Sequence, residues 1–409
     1  MPDTIGRLSD PAHLLGATRF SIQQGGNFLV HRIAPQGPIL RERNLNYVHK
    51  ATWGMYAAGV DHDVIARLLD WARDEALQAN GDFYFPDETT AYRITQRLYR
   101  PITFGKVAAW IGHPVIRDER VVQRILQYQH LSGGVFHYIG EDPGNVEEQA
   151  AIGALNTSFF GHLMVALELK EPAIAAGDWL RRFVEANRTS MGQGVLYTQM
   201  TPDGDLLTDA QPGERITKLV DNVHPKQEFW QVGTAMAYLA VLYDTLRTRW
   251  GSTEADAQPY LDSALELSDF EATMPLQTYL WISKCKVAWG AGELLRVLVR
   301  YGMDADKIEQ AYRLCERAAI FTFMDNQLPS GGWPCLHYPL SEEIPEMDLN
   351  YKPLKGTVAV PNEEIPGSQT IFLSGEEITG ECVGEMKSVE MGLTELLKTG
   401  DDREVMNGS

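Results

Sequence analysis

The stretch DNVHPKQEFWQ, Asp221 to Gln231, sets His224, Glu228 and Trp230 at the start of a helix-like run. A histidine and a glutamate this close to a helix entry suit general acid–base work, because both can be tuned toward neutral pH. The same residues also read as a capping arrangement, with Asp221 or Asn222 closing the turn and Glu228 on the solvent side. In GGVFHYIGE a double glycine precedes Phe136, His137 and Tyr138, and in GGWPCLHYP another precedes Trp333, His337 and Tyr338. Side chains alternate in extended chain, so one member of each His–Tyr pair can face a cavity. A packed aromatic loop is the alternative. In EEITGECVGEMKSVE, Glu377, Glu381 and Glu385 recur at helical i, i+4 spacing beside a small-residue stripe of Gly380, Gly384 and Ser388. If the glycines pack outward, Glu381 looks inward. The catalytic candidates are therefore His137, His224, Glu228 and Glu381.

The substrate-lining candidates are aromatic. Trp53 shares a stripe with His49 and Tyr56, and Trp281 shares a helical face with Cys285 and Ala288. Tyr197 sits in a loop, as do Phe136, Tyr138, Trp333 and His337, while Trp230 stands at a helix entry. Cys285 lacks an adjacent His or Asn motif that would make it a nucleophile. No phosphate loop, dinucleotide fingerprint, H-E-x-x-H or G-x-S-x-G occurs, so neither a cofactor nor a metal is expected.

Positioning these residues falls to helices. The 3.6-residue period predicts helices near 45–59, 61–78, 101–113, 115–130, 146–169, 171–188, 227–248, 255–267, 277–302, 304–324 and 377–398. Asp61 and Asp304 are candidate N-caps, and Pro101 suits a first turn. Tight links such as HP at 113–114 alternate with long links that carry glycine and aromatics. Aligning Gly81, Gly133, Gly192 and Gly331 gives spacings of 52, 59 and 139 residues, the last about two repeats. Helix, tight turn, helix and long loop form a repeated hairpin that cannot bury its faces alone. About six such hairpins would close into an all-α (α/α)6 toroid, with the long loops on one face and the inner helices starting there. An open helical solenoid is the alternative. Residues 1–40 read as an arm packing on the barrel and 41–400 as one toroid domain. A long loop at 340–375 reads as a lid or a solvated insertion, and 401–409 as a flexible tail.

Gln327, Gly331 and Trp333 fit Q-x-x-x-G-x-W; Gln129 and Gly133 repeat the spacing with Val135 in the Trp position, and Gln78 and Gly81 form a shortened copy. This pattern resembles the QW repeat of terpenoid cyclases and related prenyltransferase toroids, where the motif ties outer helices together. The usual acidic residue is Ser330 here. The D-x-D-D and D-D-x-x-D motifs that start cyclisation in that family do not occur. GVLYTQMTPDGDLLTD, Gly194 to Asp209, looks instead like a loop of sugar epimerases and unsaturated-glycan hydrolases, which share the fold.

The net charge of −19 and pI near 5.0 disfavour nucleic acid and anionic membrane as partners. Four scattered cysteines give neither a zinc pattern nor a disulfide framework. No leader-like segment or membrane-spanning run is read, so a cytoplasmic protein is expected, and a homodimer is compatible with the sequence. The expectation is a cofactor-independent isomerase or cyclase that rearranges a small, largely apolar molecule in an aromatic cavity. The alternatives are a sugar epimerase or glycan hydrolase, and a non-catalytic helical-repeat binding protein.

Overall fold

The computed structural model describes residues 7–33, 45–87, 97–209, 218–223, 229–333, 337–339, 368–370 and 375–407, and these are mostly helical. The helices are of two kinds. The first kind comprises α2 (Asn46–Ala57), α4 (Tyr99–Ile111), α6 (Ala154–Ala166), α8 (Trp230–Thr248), α10 (Cys285–Arg300) and α12 (Gly375–Asn407). Of these, α4, α6, α8 and α10 are buried nearly all round, and α12, rich in charged residues, is buried over 375–386. A helix with no polar side must be enclosed. α3 (His62–Ala76), α5 (Glu119–Gln127) and α11 (Ala305–Arg317) are amphipathic and bury one stripe, while α7 (Lys170–Met191) and α9 (Glu254–Ala272) keep a polar side to solvent. Among their caps, Asp61 accepts from the Asp63 amide and Asp304 from those of Asp306 and Lys307, as their sequence positions predict.

The enclosed helices pack in succession: α2 on α4, α4 on α6, α6 on α8, α8 on α10, α10 on α12, and α12 back on α2. The amphipathic helices lie against them, α3 on α2 and α4, α7 on α6, α9 on α8 and α11 on α10. α1 (Pro11–Ile33) covers α12 and α2, a helix within the stretch read as an arm. Its Gly25–Gly26 pair, which lowers helix propensity, is what lets it approach: a β-carbon at Gly25 would strike Val383, and one at Gly26 would strike Ala58. α12 runs to Asn407, into the stretch read as a tail.

The glycine loops repeat one turn. His130 N donates to Gly134 O and Gly133 N to His130 O; Leu328 N donates to Gly332 O and Gly331 N to Leu328 O. Gly133 (φ 87°) and Gly331 (φ 90°) are left-handed and press on the backbones of Ala175 in α7 and Gln24 in α1. Gln129 Nε2 donates to the Gly133 and Pro172 carbonyls at 3.0 Å, and Gln327 Nε2 to those of Gly331 and Ser21 at 2.9 Å. The next residues also match: Val135 N donates to Thr157 Oγ1 at 3.1 Å and Trp333 N to Thr379 Oγ1 at 2.9 Å, docking each loop on the enclosed helix it precedes. Gly192 does not belong to this series. It is right-handed (φ −61°), and the turn recurs instead at Thr201–Asp205 around Gly204 (φ 101°).

Short antiparallel strands decorate the loops: β1 (Ile152–Gly153) with β3 (Gln199–Met200), β2 (Val195–Tyr197) with β4 (Leu219–Asp221), and β5 (His337–Pro339) with β6 (Ser368–Thr370). The helix expected over 277–302 is interrupted. Leu276–Leu280 and Ile282–Lys284 are 3₁₀ turns with Trp281 extended between them (φ −97°, ψ 128°), so Trp281, Cys285 and Ala288 do not share a helical face. No helix among the described residues is long and apolar enough to cross a membrane.

Candidate functional site

Near the N-terminal ends of the enclosed helices, five charged side chains alternate in sign through the interior. Glu377, Glu381 and Glu385 descend one face of α12; Lys50 comes from α2 and Lys286 from α10. Lys50 Nζ lies 3.4 Å from Glu377 Oε1 and 2.6 Å from Glu381 Oε2, and Lys286 Nζ lies 3.2 Å from Glu385 Oε1 and is also paired with Glu381. The order is therefore Glu377, Lys50, Glu381, Lys286, Glu385, and none is more than 5% exposed. His49 Nε2 approaches Glu377 Oε1 at 3.5 Å. Tyr99 and Phe159 form one wall, with Tyr99 5.4 Å from the Lys50 ammonium, and Trp230 stands 5.8 Å from that of Lys286.

The glycines of α12 do not pack outward. Gly380 presses on the backbone of Lys50 and Ala51, and Gly384 on the ring of Trp53, so both glycines face α2. This close approach brings Lys50 within reach of two carboxylates.

Burial pushes the Glu377 carboxyl up to about 7, against the pull of Lys50 and Arg100. Burial also opposes charge on Lys50, but Tyr99 and Glu377 outweigh it and hold the ammonium above the ordinary lysine range. Lys286 is lowered by burial despite Glu385. Burial keeps the Cys285 thiol well above its usual range, with Glu385 adding to the effect. Cys285, Glu381 and Glu385 bring ligand atoms within 4.8 Å of one another, a spacing that could hold a metal ion. Lys286 already pairs with both carboxylates, and the thiol is held protonated, so this donor set fits an internal ammonium better than a metal.

A second feature lies at the opposite ends of the same helices. A cavity of about 720 Å³ opens where Ala57, Ala166, Thr248 and Arg300 end or nearly end their helices. Its inner wall holds Trp53, Lys106, His162, Trp289, Glu293 and Ser388. The Lys106 ammonium stands 3.9 Å from the Trp53 ring centre, 4.7 Å from Trp289, 5.2 Å from Trp110 and 5.5 Å from Phe159. His162 stacks on Trp289 at 4.5 Å. Burial holds Lys106 down to about 7 against Glu293 and Glu385, and drives His162 well below its usual range with help from Lys106. The default expectation put the site at the loop end; this cavity lies at the other end.

The sequence candidates divide. Glu381 is central to the charged array, Trp230 borders it, and Trp53 packs on Gly384 of α12 and lines the cavity. Trp333 is fully buried and donates Nε1–H to Phe323 O at 3.0 Å, a packing role. Phe136 is buried beside His130. His137, lowered by burial, meets Gln149 at 3.5 Å, and Tyr138 lies over Arg97 at 5.6 Å. Arg97 and Arg124 clamp Asp82 there, tying the first glycine loop to α5. Tyr197 sits in the β2–β4 ribbon, its amide bonded to Asn187, and Trp281 is buried at the extended link between its two 3₁₀ turns. His224, Glu228 and the His337 side chain lie outside the described residues, as does most of the 340–375 loop. Lys50, Lys106 and Lys286 were not singled out. Their signal is a lone lysine in an apolar helical run, as in ITFGKVAAWIG, where no polar face exists to receive it.

No protein-family model matches the chain. No curated protein sequence matches it either.

Proposed function

We propose that the succession of enclosed helices closes as an (α/α)6 toroid and that the charged array at its loop end catalyses an intramolecular proton transfer, isomerising or cyclising a small metabolite. The observation that carries this reading is Glu377: a buried carboxyl that titrates at about 7, on the first turn of α12, beside Lys50 and His49. A general acid–base group works best when its pKa lies near the operating pH. Glu377 takes a proton from one carbon and returns it to another, with no net change of oxidation state. Lys50 supplies positive charge for the electron-rich intermediate, and Glu381 with Lys286 fixes Lys50 in place. Tyr99, Phe159 and Trp230 offer an apolar wall for the body of the substrate. The loop repeats that resemble those of terpenoid cyclase toroids support the class, and the absence of their acid motifs is consistent with a different proton donor.

A second reading, a carbohydrate epimerase or hydrolase, is favoured by the number of hydrogen-bonding groups in the array, which an apolar substrate does not need. One experiment separates isomerisation from hydrolysis, and identifying the product tells an apolar isomer from an epimerised sugar. Protein incubated in D2O with a metabolite extract of its source is expected to convert one feature into an isomer that carries solvent deuterium. Glu377→Gln should slow this by about 10²-fold or more. A product that gains water and splits would overturn the isomerase reading in favour of a hydrolase.

A further inference from the structure

We propose that the cavity at the C-terminal ends of the enclosed helices is a second site, where the Lys106 amine binds a small carbonyl compound bearing an acidic group and holds it covalently as an imine.

The geometry around Lys106 is that of a nucleophile rather than a structural cation. Its side chain is 2% exposed and lines the cavity, yet among the described residues it makes neither a hydrogen bond nor an ion pair. A lysine retained only for structure normally finds a carboxylate when buried, as Lys50, Lys284 and Lys286 do here. Lys106 instead has four aromatic rings around it. Desolvation in such a box favours the neutral amine, the form with a free electron pair, and the pKa near 7 agrees with the geometry. Glu293 and Glu385 attract a proton to it, Lys286 repels one, and His162 is held neutral nearby.

The acidic group follows from the charge of the cavity. The protein carries a net −19, but the lining of this cavity holds six cationic side chains besides Lys106 against four carboxylates. Ser388 donates to Glu293 at 2.8 Å and Arg296 pairs with both Glu293 and Asp244, so the acids nearest the floor are occupied by protein donors. The six cations are themselves paired, Arg19 and Lys387 with Glu390, Arg296 and Arg300 with Asp244, Lys398 with Glu395 and Arg249 with Glu168. They outnumber the four lining carboxylates, so a ligand with its carbonyl at Lys106 and its anion toward the rim meets shared cations in excess.

The chemistry balances without an oxidant. The amine adds to the carbonyl carbon, giving a carbinolamine. The former carbonyl oxygen then leaves as water with both nitrogen hydrogens, and a C=N bond joins ligand to Lys106. Protonation gives an iminium, a delocalised cation of the kind that indole faces stabilise, and the Trp53–Trp289–Trp110 walls hinder the return of water.

The test is reductive trapping. Protein at neutral pH is treated with glyoxylate and cyanoborohydride, and peptide mapping follows carboxymethyl groups over time. Lys387 and Lys398, on the rim of the same cavity, serve as internal references. We expect Lys106 to be modified at least tenfold faster than either, and glyoxylate to outpace acetaldehyde at Lys106. Modification of Lys106 no faster than the rim lysines overturns the proposal, and equal rates with acetaldehyde overturn its acidic-group half. Lys106→Met, checked for an unchanged melting profile, should abolish the fast phase; a fast phase that persists assigns it elsewhere and overturns the proposal too.

Discussion

Lys50 of α2 donates to Glu381 of α12 at 2.6 Å, a bond between two buried side chains 331 positions apart. It joins the first and the last of the enclosed helices. Breaking one side of a buried ion pair strands the other charge, at a cost of about 3–5 kcal/mol. Lys50→Met is therefore expected to lower the unfolding free energy by about that amount. Lys50→Met combined with Glu381→Leu should recover part of the loss, because this pair is removed together, while Glu377 loses Lys50 and Lys286 keeps Glu385. Urea unfolding of the parent, the two single variants and the double variant gives the answer; full additivity of the two single losses would contradict direct coupling.

Glu377 sets a pH dependence of known sign. Its carboxyl keeps a proton up to about 7 when folded, against 4.5 for an ordinary glutamate. Between those values the folded state holds more protons than the unfolded one. Its contribution to stability is therefore complete below about 4.5 and is lost as pH rises through about 7. The difference spans on the order of 3 kcal/mol. Glu377→Gln should flatten the stability–pH curve across this window, which melting curves at several pH values would show. An unchanged slope would mean that the Glu377 carboxyl titrates as in solvent.

The two loop clamps are equivalent and far apart. Gln327 makes two bonds to backbone carbonyls and accepts one from Ser21 Oγ; Gln129 makes the two carbonyl bonds. At about 1 kcal/mol per hydrogen bond, Gln129→Leu should cost about 2 kcal/mol and Gln327→Leu about 3 kcal/mol. With no shared partners, the double variant should lose the sum within about 0.5 kcal/mol. Chemical denaturation tests this, and a loss well below the sum would show that the loops act as one unit.

Two left-handed glycines should respond differently to alanine. Gly59 (φ 73°) has open space around its missing side chain, whereas at Gly331 (φ 90°) a methyl would strike the Gln24 carbonyl. Gly59→Ala should cost about 1 kcal/mol, the conformational term alone. Gly331→Ala adds overpacking and should cost about 3 kcal/mol. Equal losses would mean that α1 yields to the methyl.

Much of the architecture was legible in hydrophobic spacing. The helix starts at Asp61 and Asp304 follow from side chains that cap their own first turn, a local effect. The repeat at Gln129 and Gln327 was visible because its function depends on spacing within one loop. α1 was missed because Gly16, Gly25 and Gly26 argue against a helix locally, while the contacts that stabilise it come from α12 and α2, remote in sequence. Trp281 was misplaced for a related reason: periodicity continues through its 3₁₀ turns, and only the backbone reveals the break. The site was legible in half. The i, i+4 spacing of Glu377, Glu381 and Glu385 displays a stripe, but nothing in the stripe tells that Lys50 and Lys286 arrive from other helices to fill the gaps. That pairing depends on Gly380 and Gly384 facing α2.

The packing of α12 against α2 and α1 also has a meaning in time. During synthesis α1 and α2 emerge early and α12 emerges after every other enclosed helix, so the pocket for Trp53 and the partner of Lys50 do not exist until then. The nascent chain must carry two aromatic-rich surfaces and an unmatched lysine through most of translation, a state prone to wrong association. Each enclosed helix can meanwhile pack on the one before it, which leaves the contact of α12 with α2 and α1 to form last.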